Sequence, residues 1–476
     1  MWENNSMTTE QRMRKATQKD WYTQGFNAVP LYLGLTGYSG IVMKKQLGYG
    51  YSSFLYHYQN RYGEMSYLNS DLARLWGIIK KKISERPEYL RQIRERYMFG
   101  IKKNNTFYLT LIPARLAACS DDELIRIFRV CCKAQVDSVG AAHLVEIIGT
   151  EVEKEFRHKL LKAVGRSADW NMIYTSLSTP VQQSFLAREE SELMRVRTDT
   201  QLVAHVQKYF WLQNSYEGPV QLSKRFFERR RKHRPAEKLS YAQVINKKNT
   251  LIRRFALDRD LRSLIQIIDF TSQWQDERKE NILRGIGYLG IVVHELAKRS
   301  KVSEELIEQL GTHEALTLRS IHQLVGMRRT LGIRIRGSYF FFDGTREYIV
   351  SGRQHDRMLV RMTKRHQKVA AYDIHGSIAN GGSAVGRAVI CKGLASLKNV
   401  RKGDIIIASM TRPEFMPALK KAAAVVTDEG GITCHAAIVS RELNIPCIVG
   451  TKIATRVFHD GDIVDVRANH GIVRRV

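Results

Sequence analysis

The stretch Ala423–Gly450 admits few backbone solutions. Ala423 to Val426 form a short apolar run that ends at Thr427-Asp428. Gly430-Gly431 follow, and glycine permits backbone conformations closed to other residues. Thr433 suits a helix N-cap. The segment from there to Asn444 reads as a helix, and Cys447-Ile-Val-Gly450 as a return strand. His435 then falls in the first helical turn, among unpaired backbone N–H groups and the positive end of the helix dipole. A ring nitrogen held there can carry a phosphoryl group whose charge the backbone stabilises. The alternative is a histidine that only packs at a helix start.

The hydrophobic period divides the rest of the chain. Up to residue 328 it is helical, and nothing there reads as a sheet. Leu72, Leu75, Trp76 and Ile79 share one face at three- and four-residue spacing. Ser120 with Glu123 makes a capping-box pattern. A long amphipathic helix runs through Thr271–Leu296. The glycines between Val29 and Ser53 match no phosphate-loop spacing and suit close helix approach or a bent loop. The aromatic run His205–Pro219 is either a ligand pocket or a core corner, with core the preferred reading. After Arg328, Tyr339-Phe-Phe-Phe342, a turn at Asp343-Gly344 and Glu347-Tyr-Ile-Val350 read as a β-hairpin. From residue 373 short β runs alternate with glycine turns. The expected fold class is multidomain α plus α/β. A large all-helical region spans 1–328, with a possible break near 170–180. A β-hairpin connector covers 329–372 and a compact β/α domain covers 373–476.

The net charge of +29 favours anionic partners, among them nucleic acid and phosphorylated metabolites. The Lys224–Arg234 run is a solvated face or a phosphate-contacting patch. The six cysteines include no C-x-x-C pair, so neither a disulfide framework nor a metal site is expected. Cys434 abuts His435, but adjacent helical positions point apart, so it reads as a small side chain and not a nucleophile. No apolar run approaches the ~20 residues of a membrane helix, and no secretory signal pattern opens the chain; a cytoplasmic protein is the default expectation.

Residues 374–476 resemble the phosphohistidine swivel, or mobile, domain of the phosphoenolpyruvate-utilising enzymes. The resemblance rests on five segments in order: Gly376–Ala388, Gly403–Pro413, Ala422–Gly431, the helix Thr433–Pro446, and the closing Asp460–Val464 with Gly471-Ile-Val. It implies a β/α domain that moves a phosphoryl group between two distant sites, with His435 as the covalent carrier. Gly430 and Gly431 match the family's turn and Thr433 its hydroxyl position. Cys434 departs from the usual serine. Asp428 and Glu429 are expected to hold the loop or orient the histidine. Arg441 is expected to pair with a phosphate oxygen or with Glu442.

The chain ends at Val476, directly after this domain, so self-contained phosphoenolpyruvate chemistry is not expected. No tightly bound cofactor is predicted. ATP and Mg2+ would come with a separate ATP-grasp protein, and a small-molecule acceptor would bind the helical region. That region loosely resembles the one preceding the carrier in rifampicin-phosphotransferase-like proteins. Two other readings stand. One is a non-catalytic basic module retaining the swivel fold, with nucleic acid a possible but unfavoured partner. The other is a self-contained small-molecule kinase.

Overall fold

A computed structural model describes residues 7–16, 18–165, 170–232, 241–366, 373–412, 415–431 and 434–476. The architecture is mostly helical, with two sheets. The first sheet is antiparallel and ordered β1-β3-β2-β4-β5. Its strands are β1 (Trp21–Asn27), β2 (Phe54–Gln59), β3 (Tyr62–Leu68), β4 (Ser338–Phe342) and β5 (Glu347–Ser351). Three strands therefore lie inside the region expected to be all-helical. The hairpin expected as a connector supplies the other two.

Cross-strand pairing explains that difference. Phe54 faces Phe342 and Tyr56 faces Phe340, and these aromatic pairs tie the two distant segments into one sheet. The β2–β3 turn consists of Asn60 and Arg61, both left-handed with φ 53° and 61°. That is the two-residue geometry matching strand twist. Arginine in place of glycine at the second position hides it in the sequence.

Helix α1 (Pro30–Leu47) lies against this sheet and is buried on nearly every side. Its glycines mark close approaches. A Cβ on Gly40 would stand 2.7 Å from the His143 ring and 2.8 Å from the Tyr51 ring. Helix α2 (Asp121–Gly140) begins at Ser120, whose hydroxyl accepts from the Glu123 N–H. Helix α3 (Leu144–Val164) packs with α2 on the long helix α4 (Arg259–Ser300). The aromatic His205–Pro219 run is core: Tyr209, Trp211 and Leu212 pack with Phe185 and Phe227. In the basic run, Lys224 pairs with Asp199 and Arg230 with Glu189; His233 and Arg234 lie outside the described residues. Helix α5 (Arg353–His366) follows the first sheet.

The C-terminal sheet has eight strands, ordered β6-β13-β12-β8-β9-β10-β11-β7. They are β6 (Asp373–His375), β7 (Ser377–Asn380), β8 (Ser383–Cys391), β9 (Ile405–Ala408), β10 (Ala424–Thr427), β11 (Cys447–Val449), β12 (Ile463–Arg467) and β13 (Ile472–Arg475). The pairs β8–β9, β9–β10 and β10–β11 are parallel. Ile406 and Ala408 enter one apolar layer with Ala436 and Ala437, while Ile405 and Ile407 enter another with Val464 and Val466. Burial on both faces is what makes these strands continuous apolar runs. Helix α6 (His435–Glu442) covers the first of those layers. Among the described residues, no helix is long and apolar enough to cross a membrane.

Candidate phosphohistidine site

The loop after β10 is fixed before it reaches the histidine. The Asp428 N–H donates to the Ala408 carbonyl at 3.0 Å and the Glu429 N–H to Ser409 at 2.8 Å. The buried Asp428 carboxylate accepts from the Thr451 hydroxyl at 3.0 Å and from the Thr455 N–H and hydroxyl. Asp428 thus clamps two loops together and does not orient the imidazole. Burial raises its pKa above the usual carboxylate value. Glu429 goes further, to about 8, through burial and then its neighbour Asp428. The Tyr22 hydroxyl reaches it at 3.5 Å from the N-terminal sheet.

Gly430 has φ 101°, and a Cβ there would stand 2.8 Å from the Cys434 sulfur. Both the left-handed backbone and the space require glycine. At Gly431 a Cβ would fall 2.3 Å from a Glu153 carboxylate oxygen on α3, so a larger residue would displace that side chain. The residue capping α6 is Cys434, not Thr433. Thr433 lies outside the described residues. Cys434 has extended φ and ψ of −70° and 165°, so His435 is the first helical residue. Burial pushes the Cys434 thiol up to about 11, which keeps it protonated at neutral pH.

The His435 Nδ1 sits 2.9 Å from the Thr411 hydroxyl. No hydrogen bond to its Nε2 is present among the described residues. Burial lowers the imidazole pKa to about 4, and Lys279 on α4 adds to the lowering. The ring is therefore neutral at physiological pH. In the tautomer that donates Nδ1–H to the Thr411 hydroxyl, the Nε2 lone pair is the nucleophilic one. Arg441 lies six residues along α6, about 9 Å by helical rise. Its guanidinium donates to the Ala379 carbonyl at 3.2 Å.

A family model described as PEP-utilising enzyme, mobile domain, matches residues 400–471. Residues 400–471 thus form a mobile domain of the kind found in the phosphoenolpyruvate-utilising enzymes. The probable phosphoenolpyruvate synthase of Archaeoglobus fulgidus is 37% identical over 185 residues, 36% of this chain and 24% of that protein. The phosphoenolpyruvate synthase of Pyrococcus furiosus is 49% identical over 100 residues, 21% of this chain and 12% of that protein. The chain thus spans a quarter or less of each relative's length. A solution structure of Enzyme I aligns with 76% of this chain and 80% of that one, at 15% identity and a TM-score of 0.19; a score that low carries no argument.

Three residues around the mobile-domain histidine escaped the sequence reading. Thr411 stood in a recognised segment, but nothing in the spacing brings it to His435. Glu153 and Lys279 come from α3 and α4, far away in sequence, and no local signal marks them. Their nearness shows how the mobile domain sits: His435 faces the N-terminal body. Arg157 Nη1 donates to the Ser377 hydroxyl at 2.8 Å, and the Ser409 hydroxyl to the Gly25 carbonyl at 3.2 Å, across the same junction.

Proposed function

We propose that the chain is a phosphotransferase component. His435 takes a phosphoryl group from a separately encoded ATP-grasp-type donor and passes it to an acceptor held by the N-terminal body. The observation that carries this reading is the state of His435: neutral, anchored through Nδ1, at a helix start, and turned toward another part of the chain.

In the first step the Nε2 lone pair forms the N–P bond while the bond from phosphorus to the donor's oxygen breaks, its electron pair leaving with that oxygen. In the second, an acceptor hydroxyl oxygen attacks phosphorus, the N–P pair returns to Nε2, and the hydroxyl proton passes to solvent. Splitting one transfer into two is the service a covalent catalyst provides. The N–H groups opening α6 favour the phosphoryl oxygens. Gly430 and Gly431 shape the loop, Cys434 caps the helix, and Asp428 holds the loop to the Thr451–Thr455 segment. The docked arrangement suits the acceptor step. Reaching a separate donor requires the mobile domain to leave the body.

Incubating the chain with a candidate ATP-grasp protein and γ-32P-ATP tests this reading. Label should enter the wild-type chain and be absent from His435→Ala. Equal labelling of the two would exclude His435 as the carrier.

A further inference from the structure

Beneath the docked mobile domain the N-terminal body buries a polar cluster that its own groups leave partly unfilled. Arg278, 8% exposed, donates to Glu146 from one terminal nitrogen and lies 3.2 Å from His143 Nδ1 through the other. His143 Nε2 lies 2.6 Å from the Tyr67 hydroxyl, which donates to the Gly37 carbonyl. The Tyr51 ring stacks 4.3 Å from that of Tyr67 and 5.4 Å from His143. Trp274 stands one turn before Arg278, on the same face of α4.

Among the described residues, three buried polar atoms have no partner: the Tyr51 hydroxyl, the Trp274 Nε1–H and the Arg278 Nε–H. Tyr51 is 1% exposed and Trp274 is 0% exposed. Buried polar groups nearly always find partners, and leaving each of these unfilled is costly. Indole and guanidinium N–H groups can only donate, and the phenol can donate as well. What completes them must therefore present acceptor oxygens.

The cluster and the carrier loop lie against the same two helices, α3 and α4. Glu146, paired with Arg278, and Glu153, against Gly431, are seven residues apart on α3, about 10 Å by helical rise. Lys279, adjacent to Arg278, acts on His435.

Building on the carrier reading of His435, we infer that Arg278, Trp274 and Tyr51 form the acceptor site, and that the acceptor is a hydroxy-carboxylate. Its carboxylate would take the unfilled donors, and its hydroxyl would point to His435. Arg278 keeps one charge partner in Glu146, so a single additional carboxylate suits it better than a dianion.

Ligand-observed NMR on the full chain tests the inference without any phosphoryl donor. The probes are glycerate and 4-hydroxybenzoate, each compared with its uncharged analogue, glycerol and phenol. At least one hydroxy-carboxylate should bind, and more tightly than its analogue. Tyr51→Phe and Trp274→Phe should each weaken it about tenfold, the loss of one hydrogen bond to a charged group. Removing the orphan hydroxyl in Tyr51→Phe should leave the melting temperature unchanged or raised, separating lost binding from lost folding. Binding of neither carboxylate, or equal binding to wild type and both variants, overturns the inference and leaves a cluster completed by water. Because these readouts need no label on His435, failure of the carrier reading shows itself separately, as an unlabelled chain.

Discussion

An imidazole that must attack phosphorus has to be neutral, and this chain secures that by burial. An unperturbed histidine titrates near pH 6.5, whereas burial and Lys279 bring His435 to about 4. Lys279→Gln should raise the His435 pKa toward its ordinary value, but only partly, because burial is the larger cause. NMR titration of the His435 ring protons would show the shift; no change would mean that Lys279 does not face the imidazole in solution. Asp428 has another task. Its carboxylate collects donors from Thr451 and Thr455, and Asp428→Asn should cost about 1–3 kcal/mol by leaving a donor without its acceptor. Urea unfolding of the C-terminal domain would measure it. His435, Gly430 and the loop-holding role of Asp428 were legible because glycine turns and helix starts are local. Thr411, Glu153 and Lys279 were not, since only the tertiary fold brings them together.

Among the secondary-structure elements, glycine separates two kinds of constraint. Gly40 in α1 meets the rigid rings of His143 and Tyr51, while Gly77, exposed on the helix Asn69–Glu85, meets nothing within 4 Å. Alanine gains about 1 kcal/mol over glycine in a helix interior, but overpacking costs about 1–3 kcal/mol. Gly77→Ala should therefore stabilise the protein slightly, and Gly40→Ala should destabilise it. Thermal melts of the two variants read the opposite signs. The parallel strands β9 and β10 were readable because unbroken apolar runs of four to six residues suit strands buried on both faces. In the first sheet only the β4–β5 hairpin was, and β1, β2 and β3 were not. Its strands are short, β1 carries a glycine and several polar residues, and the partners Phe54 and Phe342 lie far apart in the sequence.

Among the described residues, the apolar clusters of the body and of the mobile domain stay separate while polar contacts such as Arg157–Ser377 cross the junction, a construction that suits a domain that must come and go. Its pH response follows from Glu429. The folded-state pKa of about 8 lies above the ordinary carboxylate value, so the folded protein holds a proton that the unfolded chain releases. Its contribution to stability is complete below about pH 4.5 and is lost as pH rises through about 8. Ionisation would also leave a charge beside Asp428 and the Tyr22 contact. Docking should therefore loosen as pH rises from about 4.5 to about 8, with amide hydrogen exchange at the described junction residues growing faster in wild type than in Glu429→Gln.

The central claim is covalent carriage by His435, and its most direct measurement is the chemistry of the phosphorylated chain. After incubation with an ATP-grasp donor, the peptide containing His435 should carry one phosphate that survives alkali, is lost in mild acid, and is absent from His435→Ala. An acid-stable phosphate, or one mapped to any residue other than His435, would contradict the account.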